Sequence, residues 1–204
     1  MDTNKNSYII IYSTVLVVIV AFLLAFIFQA LKPLQDVNVA LDKKKQILAS
    51  LNIRDLENAE AESRYESVVK SERTVGDGLT LYECEVEGAV KYVIPVRGMG
   101  LWGPIWGYIA LDDDKTTIFG AYFNHESETA GLGAEIKDSR AWQDQFRGKK
   151  IYAADGSVAI AVKKKSDVKN PESECDAVTG ATLTSDGVSL MLRESFEKYK
   201  SYLK

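Results

Sequence analysis

The chain has 204 residues, a net charge of −4 and 46% hydrophobic residues, which leaves room for one domain plus a membrane anchor. This acidic balance, without a long basic stripe, argues against nucleic acid as a partner. The lysine runs at 43–45 and 163–165 are interpreted as solvated faces.

Residues 8–31 form an uncharged apolar run that is long enough to cross a bilayer as a helix. The run is longer than the core of a typical signal peptide, and no small-x-small cleavage site follows it cleanly, so the sequence predicts an uncleaved transmembrane anchor. Tyr8 and Tyr12 are placed for one interface, and Lys32 with Pro33 is expected to end the helix at the other.

Charges flanking this anchor give an ambiguous orientation. Lys5 and the amino terminus precede it, whereas Lys32 and residues 43–45 follow it, so the positive-inside rule would place the C-terminal side in the cytoplasm. The same rule weakens when a long domain of about 170 residues is translocated.

Beyond the anchor, residues 32–70 are predicted to form a juxtamembrane helical stalk. Five apolar residues recur there at helical spacing and predict a second helix over Leu34–Leu51: Leu34, Val37, Leu41, Leu48 and Leu51. This helix either packs on the domain or on a neighbouring protein as a stalk, or is an ordinary surface helix of the domain.

From residue 71 the pattern changes to strands. Residues 79–86 and 89–96 alternate around a turn at Glu87-Gly88, which predicts a hairpin. Further strands are predicted at 105–111, 117–124 and 158–162, and a short helix at 139–146. Strands flanked by helices, without regular β-α alternation, indicate an α+β domain with an antiparallel sheet.

Near the C-terminus, residues 176–185 form a hydroxyl-rich turn that opens a helix. Gly180 permits a tight turn, and the helix is predicted from apolar residues at helical spacing: Val188, Leu192, Phe196, Tyr199 and Leu203. Clustered hydroxyls at a helix N-terminus form either a site for an anion or simply a capping turn. The residues of capping type are Thr182, Thr184, Ser185 and Asp186.

Residues 176–182 carry the pattern Asp-x-x-Thr-Gly-Ala-Thr, and this segment resembles the acceptor motif for covalent flavinylation. The extension through Thr-Leu-Thr-Ser is similar to the C-type subunit of the Na+-translocating NADH:quinone reductase. The resemblance implies that a flavin transferase uses FAD to bond the Thr182 side-chain oxygen to the phosphate of FMN, with Thr184 as the competing acceptor. Thr179, Gly180, Ala181 and Leu183 would complete this part of the site.

Gly98–Trp102, with the pattern Gly-x-Gly-Leu-Trp, also resembles this family. The resemblance implies that Trp102 stacks on or borders the isoalloxazine ring, whereas the residue type alone favours a Trp at the edge of the core. Trp106, in the following strand, is interpreted as a core residue.

Residues 128–133 resemble the family segment Glu-Thr-Pro-Gly-Leu-Gly, with Ala130 in place of Pro, so this loop is expected to be less rigid. The resemblance implies four roles against the flavin. Thr129 would bond the phosphate or ribityl chain, Leu132 would press on the ring, Gly131 and Gly133 would permit close approach, and Glu128 would hold the loop or reach a ribityl hydroxyl. Lys163 would neutralise the phosphate or reduced flavin. A glycine-rich turn and a solvated lysine are the alternatives.

Other cofactor classes lack their patterns. Gly131-Leu132-Gly133 has no third glycine and opens no helix within a β-α-β unit, which argues against a Rossmann NAD site. One histidine, His125, with the distant Cys84 and Cys175 lacks zinc-site spacing, and no Cys-x-x-Cys exists. We therefore expect no metal. Whether the two cysteines pair stays open.

The resemblance implies a flavoprotein subunit in the bacterial inner membrane. A cytoplasmic tail (1–7), the anchor (8–31) and the stalk (32–70) would precede a periplasmic FMN-binding domain (71–204). Its covalent FMN would relay electrons within a complex that exports Na+, with the other subunits, the flavin transferase and membrane lipid as partners. The alternatives are the G-type subunit of the Rnf-type ferredoxin:NAD+ complex, and a non-redox anchored binding module in which residues 179–185 merely cap a helix.

Overall fold

A computed structural model describes residues 6–76 and 78–203 of the chain. The chain divides into two compact units that meet between Asp42 and Lys43, and each is described by itself. Helix α1, Asn6–Ser50, contains Pro33 in its interior, so the expected helix end at Lys32-Pro33 is wrong. A proline removes one backbone donor and kinks a helix, but helix-forming residues on both sides allow the helix to continue.

The N-terminal unit consists of the first part of α1. Its apolar side chains are exposed, Phe22 at 71% and Ile10 at 64%. Among residues 6–76 and 78–203, α1 is the one helix that is long and apolar enough to cross a membrane, and none of its most apolar 18-residue window is buried. This helix is therefore a candidate membrane span, as the sequence predicts.

The second unit contains an antiparallel sheet whose five strands follow chain order, together with a separate pair of short parallel strands. This architecture confirms the predicted α+β class. Its elements are α2 Asn58–Val68, β1 Val69–Val75, β2 Leu79–Val86, β3 Ala89–Met99, β4 Pro104–Leu111, β5 Ile118–His125, α3 Glu135–Asp138, α4 Arg140–Asp144, β6 Ala161–Lys163, β7 Glu174–Asp176 and α5 Thr182–Tyr199.

The predicted hairpin is confirmed, with Val86 opposite Ala89 across the turn. Glu87 and Gly88 adopt positive φ angles of 52° and 78°, as a tight two-residue turn requires. The late strand expected at 158–162 is shorter and shifted to β6, since Val158 forms only an isolated bridge with Tyr152. Its partner β7 was not predicted, because three residues are too few to show a period.

The core lies between the sheet and the helices that pack on it. Phe123 of β5 packs against Trp142 and Phe146, with ring centroids 5.4 Å and 4.9 Å away. Helix α5 packs closely on β3 because two glycines leave room. A Cβ on Gly98 would lie 2.7 Å from Met191 Cβ, and one on Gly187 would lie 2.4 Å from the Met99 carbonyl oxygen. This approach places the start of α5 beside the loop that follows β3.

The last turns of α1 belong to the second unit. Ile47, Leu48 and Leu51 are at most 1% exposed. Trp106 Nε1 donates to Gln46 Oε1 at 3.0 Å, so the tryptophan expected in the core is half-buried against the helix end. The compact unit therefore begins at Lys43, earlier than the boundary at residue 71 that the sequence suggests.

Both cysteines are free and buried, Cys84 on β2 and Cys175 on β7. Burial raises the pKa of each thiol to about 12, because a thiolate is poorly solvated there. The two residues therefore behave as small apolar side chains and do not form a disulfide here.

Candidate functional site

The start of α5 exposes one threonine and buries another. Gly180 adopts a φ of +76°, Ala181 is the N-cap residue, and Thr182 is the first helical residue with its side chain exposed. No side chain caps the helix at Ala181, so the interpretation of the clustered hydroxyls as its capping groups is wrong. The Ser185 hydroxyl instead accepts a hydrogen bond from the Val178 N–H at 3.1 Å.

Thr184 and Thr182 differ in burial and in hydrogen bonding. Thr184 is 1% exposed, and its hydroxyl donates to Glu128 Oε2 at 2.5 Å. Within residues 6–76 and 78–203, the Thr182 hydroxyl has no hydrogen-bond partner. Of the two sequence candidates for a modified hydroxyl, Thr182 is therefore the accessible one.

Glu128 joins three segments of the site. The residue is 7% exposed, and its Oε1 accepts the Trp102 backbone N–H at 2.8 Å while Oε2 accepts the Thr184 hydroxyl. Its own backbone N–H donates to His125 Nδ1 at 3.1 Å, which fixes the loop after β5. Of the two roles considered for Glu128, these contacts support the first, holding the loop.

The Glu128 carboxylate explains why glycine occupies two positions, Gly100 and Gly133. A Cβ on Gly100 would lie 2.5 Å from Glu128 Oε1, and one on Gly133 would lie 2.4 Å from Oε2. Real Cβ atoms do not approach oxygen so closely, so only glycine leaves room for the carboxylate at both positions. Gly131 differs, since its φ of +72° serves the turn and nothing lies near a Cβ there.

Thr129 and Gly131 shape the turn before α3. The Thr129 carbonyl accepts the N–H groups of Leu132 and Ala134 at 3.1 Å and 3.0 Å, and its side chain is exposed. Ala130, where the family pattern has Pro, is also exposed. The backbone hydrogen bonds thus hold this turn without a proline.

An exposed apolar rim borders the start of α5. It consists of Met99 (63% exposed), Leu101 (46%), Trp102 (66%), Leu132 (42%) and Leu183 (61%). Leu132 reaches the acceptor segment, because its Cδ2 lies 3.0 Å from where a Cβ on Gly180 would be. The alternative of Trp102 as a filler of the core edge is wrong. Met99 and Leu101 were not predicted as site residues, although both belong to the Gly98–Trp102 segment.

A basic depression lies beside Thr182. Three lysines line it, Lys163, Lys164 and Lys169, together with the carboxylates of Asp167 and Asp186. Lys163 is already paired, since its ammonium binds the Glu174 carboxylate. Within the described ranges, 6–76 and 78–203, Lys164 and Lys169 form no ion pair with a carboxylate. These two lysines, which were not predicted, are thus the free cations on this side.

Glu174 orders the loop that carries these lysines. Its Oε2 accepts the backbone N–H groups of Asn170 and Lys169 at 2.8 Å and 2.6 Å. The Asn170 N–H, together with the Lys163 ammonium, lowers the pKa of Glu174 to about 2. A second depression on the other side of the acceptor segment is lined by Thr179, Gly131, Trp142 and Lys165, among others.

The site therefore combines three kinds of group around one accessible hydroxyl. Thr182 offers an oxygen that can be esterified, the lysines offer positive charge for a phosphate, and the rim offers an aromatic and apolar surface for a planar ring. These groups fit a phosphorylated aromatic cofactor such as FMN.

The sequence matches the model of a protein family described as the FMN-binding domain over residues 100–197. All the elements of the site described above except Met99 lie within that range.

Two known proteins of similar sequence have the same name. The chain is 36% identical to the C-type subunit of the Na(+)-translocating NADH-quinone reductase of Chlamydia muridarum, over 54% of this chain and 39% of that protein. It is 28% identical to the protein of the same name from Haemophilus ducreyi, over 91% of this chain and 88% of that protein. The aligned segment thus spans less than half the length of the Chlamydia relative.

A similar fold has been solved in a crystal. The structure of the C-type subunit of the Na(+)-translocating NADH-quinone reductase from Parabacteroides distasonis superposes on this chain with a TM-score of 0.79 and 35% sequence identity. The superposition covers 85% of this chain and 97% of that one.

Proposed function

Because the chain belongs to the family of C-type subunits of the Na(+)-translocating NADH-quinone reductases, we propose that it is a membrane-anchored flavoprotein subunit of such a complex. FMN is joined to Thr182 through a phosphoester. The observation that carries this proposal is the exposed, unbonded hydroxyl of Thr182, next to an aromatic rim and a basic depression.

The contrast between the two threonines supports Thr182 as the acceptor. An enzyme that modifies a side chain must reach its oxygen, and Thr182 is exposed while Thr184 is buried and donates to Glu128. Modifying Thr184 would break this hydrogen bond and require a buried site to open.

Attachment by a flavin transferase uses FAD as the donor. The Thr182 oxygen attacks the phosphorus on the FMN side of the FAD pyrophosphate. A new oxygen–phosphorus bond forms, the pyrophosphate bond breaks, AMP leaves, and the hydroxyl proton passes to a base of the transferase. Gly180 and Ala181 carry little or no side chain beside the acceptor and leave room for the transferase.

The other residues of the site then bind the attached cofactor. Lys164 and Lys169 stabilise the phosphate, while Lys163, which Glu174 already neutralises, contributes less than the sequence suggests. Trp102, Leu132 and Leu183 border the isoalloxazine ring and exclude water from its faces. The exposed Thr129 hydroxyl forms a hydrogen bond with the ribityl chain or the phosphate. When bound, FMN supplies the redox chemistry, and the chain sets its position, polarity and solvent access.

In the complex, the protein relays electrons between cofactors of neighbouring subunits, and this transfer is coupled to Na+ export. Helix α1 anchors it in the inner membrane, with the flavin domain on the periplasmic side as the family resemblance implies. A covalent bond suits this location, because lost FMN would not be replaced outside the cytoplasm. A single relay centre also predicts that the isolated protein has no quinone reductase activity.

The two alternatives receive less support. The relatives described above are named as the C-type subunit of the quinone reductase and not as the G-type subunit of the Rnf-type complex. A non-redox module in which residues 179–185 only cap a helix is disfavoured, because the N-cap at Ala181 has no side-chain hydrogen bond.

In-gel fluorescence of the denatured protein tests the proposal after co-expression with a flavin transferase. We expect a fluorescent band in the wild type and in Thr184→Val, and none in Thr182→Val. A fluorescent band in Thr182→Val would show that the flavin is attached to another residue. The absence of a band from the wild type would refute the flavoprotein assignment.

A further inference from the structure

The geometry around Glu128 suggests a role for this residue that goes beyond holding its own loop. We propose that Glu128 is a positioning residue that selects Thr182 over Thr184 as the flavin acceptor and fixes the Trp102 loop beside it. This inference rests on the proposed function, since it concerns the same acceptor segment.

Both oxygens of the carboxylate are committed to different segments. Oε1 accepts the Trp102 N–H at 2.8 Å, and Oε2 accepts the Thr184 hydroxyl at 2.5 Å. One buried side chain thus ties the loop after β3 to the first turn of α5. Burial of Glu128 at 7% exposure reduces competition from water for both hydrogen bonds.

The surrounding backbone is built to admit this carboxylate. Gly100 and Gly133 lie so close to its two oxygens that a Cβ at either position would collide, at 2.5 Å and 2.4 Å. The Glu128 N–H, donated to His125 Nδ1, fixes the residue from the β5 side. The carboxylate therefore has one well-defined place.

Selection of the acceptor follows from this arrangement. Thr184 turns its hydroxyl inward to Glu128 and becomes inaccessible, while Thr182, two residues earlier on the helix, faces outward. The Trp102 backbone N–H has Glu128 Oε1 as its acceptor, while the Trp102 carbonyl accepts the Ser127 hydroxyl at 3.3 Å, so the Glu128 carboxylate is the group that protects the N–H from exchange. Without the carboxylate, the Thr184 hydroxyl loses its partner and the first turn of α5 can open.

The test uses the full chain with three variants. Glu128→Ala removes both hydrogen bonds. Glu128→Gln is the conservative variant, because its amide oxygen can accept the Trp102 N–H while its amino group donates to Thr184 Oγ1. Glu126→Ala is the matched control, since Glu126 lies two residues earlier in the same loop with an exposed side chain.

Two readouts separate positioning from general stability, with far-UV circular dichroism used to show that each variant is folded. Hydrogen exchange of the Trp102 amide, followed without flavin, is expected to be about tenfold faster in Glu128→Ala than in the wild type. After co-expression with the transferase, peptide mass spectrometry is expected to find flavin on Thr184 as well as Thr182 in Glu128→Ala. The wild type, Glu128→Gln and Glu126→Ala should carry it on Thr182 alone.

Three results would overturn the inference. The first is rapid exchange of the Trp102 amide in the wild type. This result is obtained without any variant, so it does not depend on whether a variant folds. The second is a folded Glu128→Ala protein with wild-type exchange at Trp102, and the third is one with flavin confined to Thr182. Since exchange is measured without flavin, a wild type that carries no flavin would refute the proposed function and leave the exchange result to be judged separately.

Discussion

Two apolar regions of the second unit differ in what covers them. The aromatic cluster of Phe123, Trp142 and Phe146 is at most 6% exposed, because the sheet and helices enclose it. The rim of Met99, Leu101, Trp102, Leu132 and Leu183 is at least 42% exposed. Burial of large apolar side chains stabilises a fold, and leaving several exposed together marks a surface for a ligand or partner.

The difference teaches how stability and function are separated in this domain. The aromatic cluster is enclosed by packing, with one buried hydrogen bond from Trp142 Nε1 to the Asp176 carbonyl at 2.8 Å. In the rim, the exposed Trp102 is held through its backbone N–H by the Glu128 carboxylate. Changes in the cluster should therefore alter the free energy of unfolding, and changes in the rim should alter the visible spectrum and fluorescence of the proposed flavin.

The largest expected effect is on the aromatic cluster. Phe123→Ala should lower the free energy of unfolding by about 3–5 kcal/mol, because it removes a fully buried ring and leaves a cavity between Trp142 and Phe146. Urea denaturation of the flavin-free protein measures this loss. A decrease below about 1 kcal/mol would contradict the closed packing of the cluster.

A smaller decrease in the free energy of unfolding is expected at Gly133, which packs closely against Glu128 and Thr184. Gly133→Ala places a Cβ 2.4 Å from Glu128 Oε2 and 2.6 Å from Thr184 Oγ1, and should cost about 1–3 kcal/mol. Gly131→Ala is the control, since nothing lies within 4 Å of its Cβ and only its positive φ is strained. A loss below about 0.5 kcal/mol for Gly133→Ala in chemical denaturation would show that the Glu128 contact is not tight.

The loop that Glu174 orders through the backbone N–H groups of Lys169 and Asn170 should make the stability of the domain fall at low pH. The pKa of Glu174 is lowered to about 2 from its ordinary value of 4.5, so its stabilising contribution is present above pH 4.5 and lost as the pH falls toward 2. Glu174→Gln should cost about 1 kcal/mol at neutral pH, because exposure of the Lys163 partner weakens the ion pair.

Melting temperatures across this pH range check the prediction. The wild type should lose stability more steeply than Glu174→Gln between pH 4.5 and pH 2. Glu172→Gln, an exposed neighbour, serves as the control. Parallel curves for the wild type and Glu174→Gln would mean that the carboxylate does not order this loop.

The smallest effect on stability is expected at the rim itself. Trp102→Ala should change the free energy of unfolding by less than about 0.5 kcal/mol, because the side chain is 66% exposed. In the flavinylated protein, the same change should shift the visible spectrum and increase flavin fluorescence, since an aromatic neighbour is lost. An unchanged spectrum would place the ring elsewhere.

The fold could largely be predicted from the sequence, because the helix and the longer strands each show their own period. The hairpin at 79–96 and the apolar run of α1 are examples. Local signals failed at one proline that helix-forming residues flank on both sides, and at one strand that depends on a long-range contact. Pro33 did not end its helix, and β7 is a strand only because it pairs with β6.

The candidate site could be predicted in its residues but not in its geometry. Motifs located Thr182, Thr184, Trp102 and Glu128, yet could not show which threonine is buried. The answer depends on Glu128, which lies 56 positions from Thr184 in the sequence. Likewise, the pairing of Lys163 with Glu174 could not be seen, because it exists only once β6 and β7 lie side by side.

Mass spectrometry of the tryptic peptide 170–193 tests the central claim most directly, because this peptide contains Thr179, Thr182 and Thr184 together. The sample should be the full chain, purified after co-expression with a flavin transferase. We predict one added FMN phosphoryl group, which fragmentation assigns to Thr182. An unmodified peptide would contradict the proposed flavoprotein, and modification at Thr184 or Thr179 would contradict the acceptor that the geometry of the site supports.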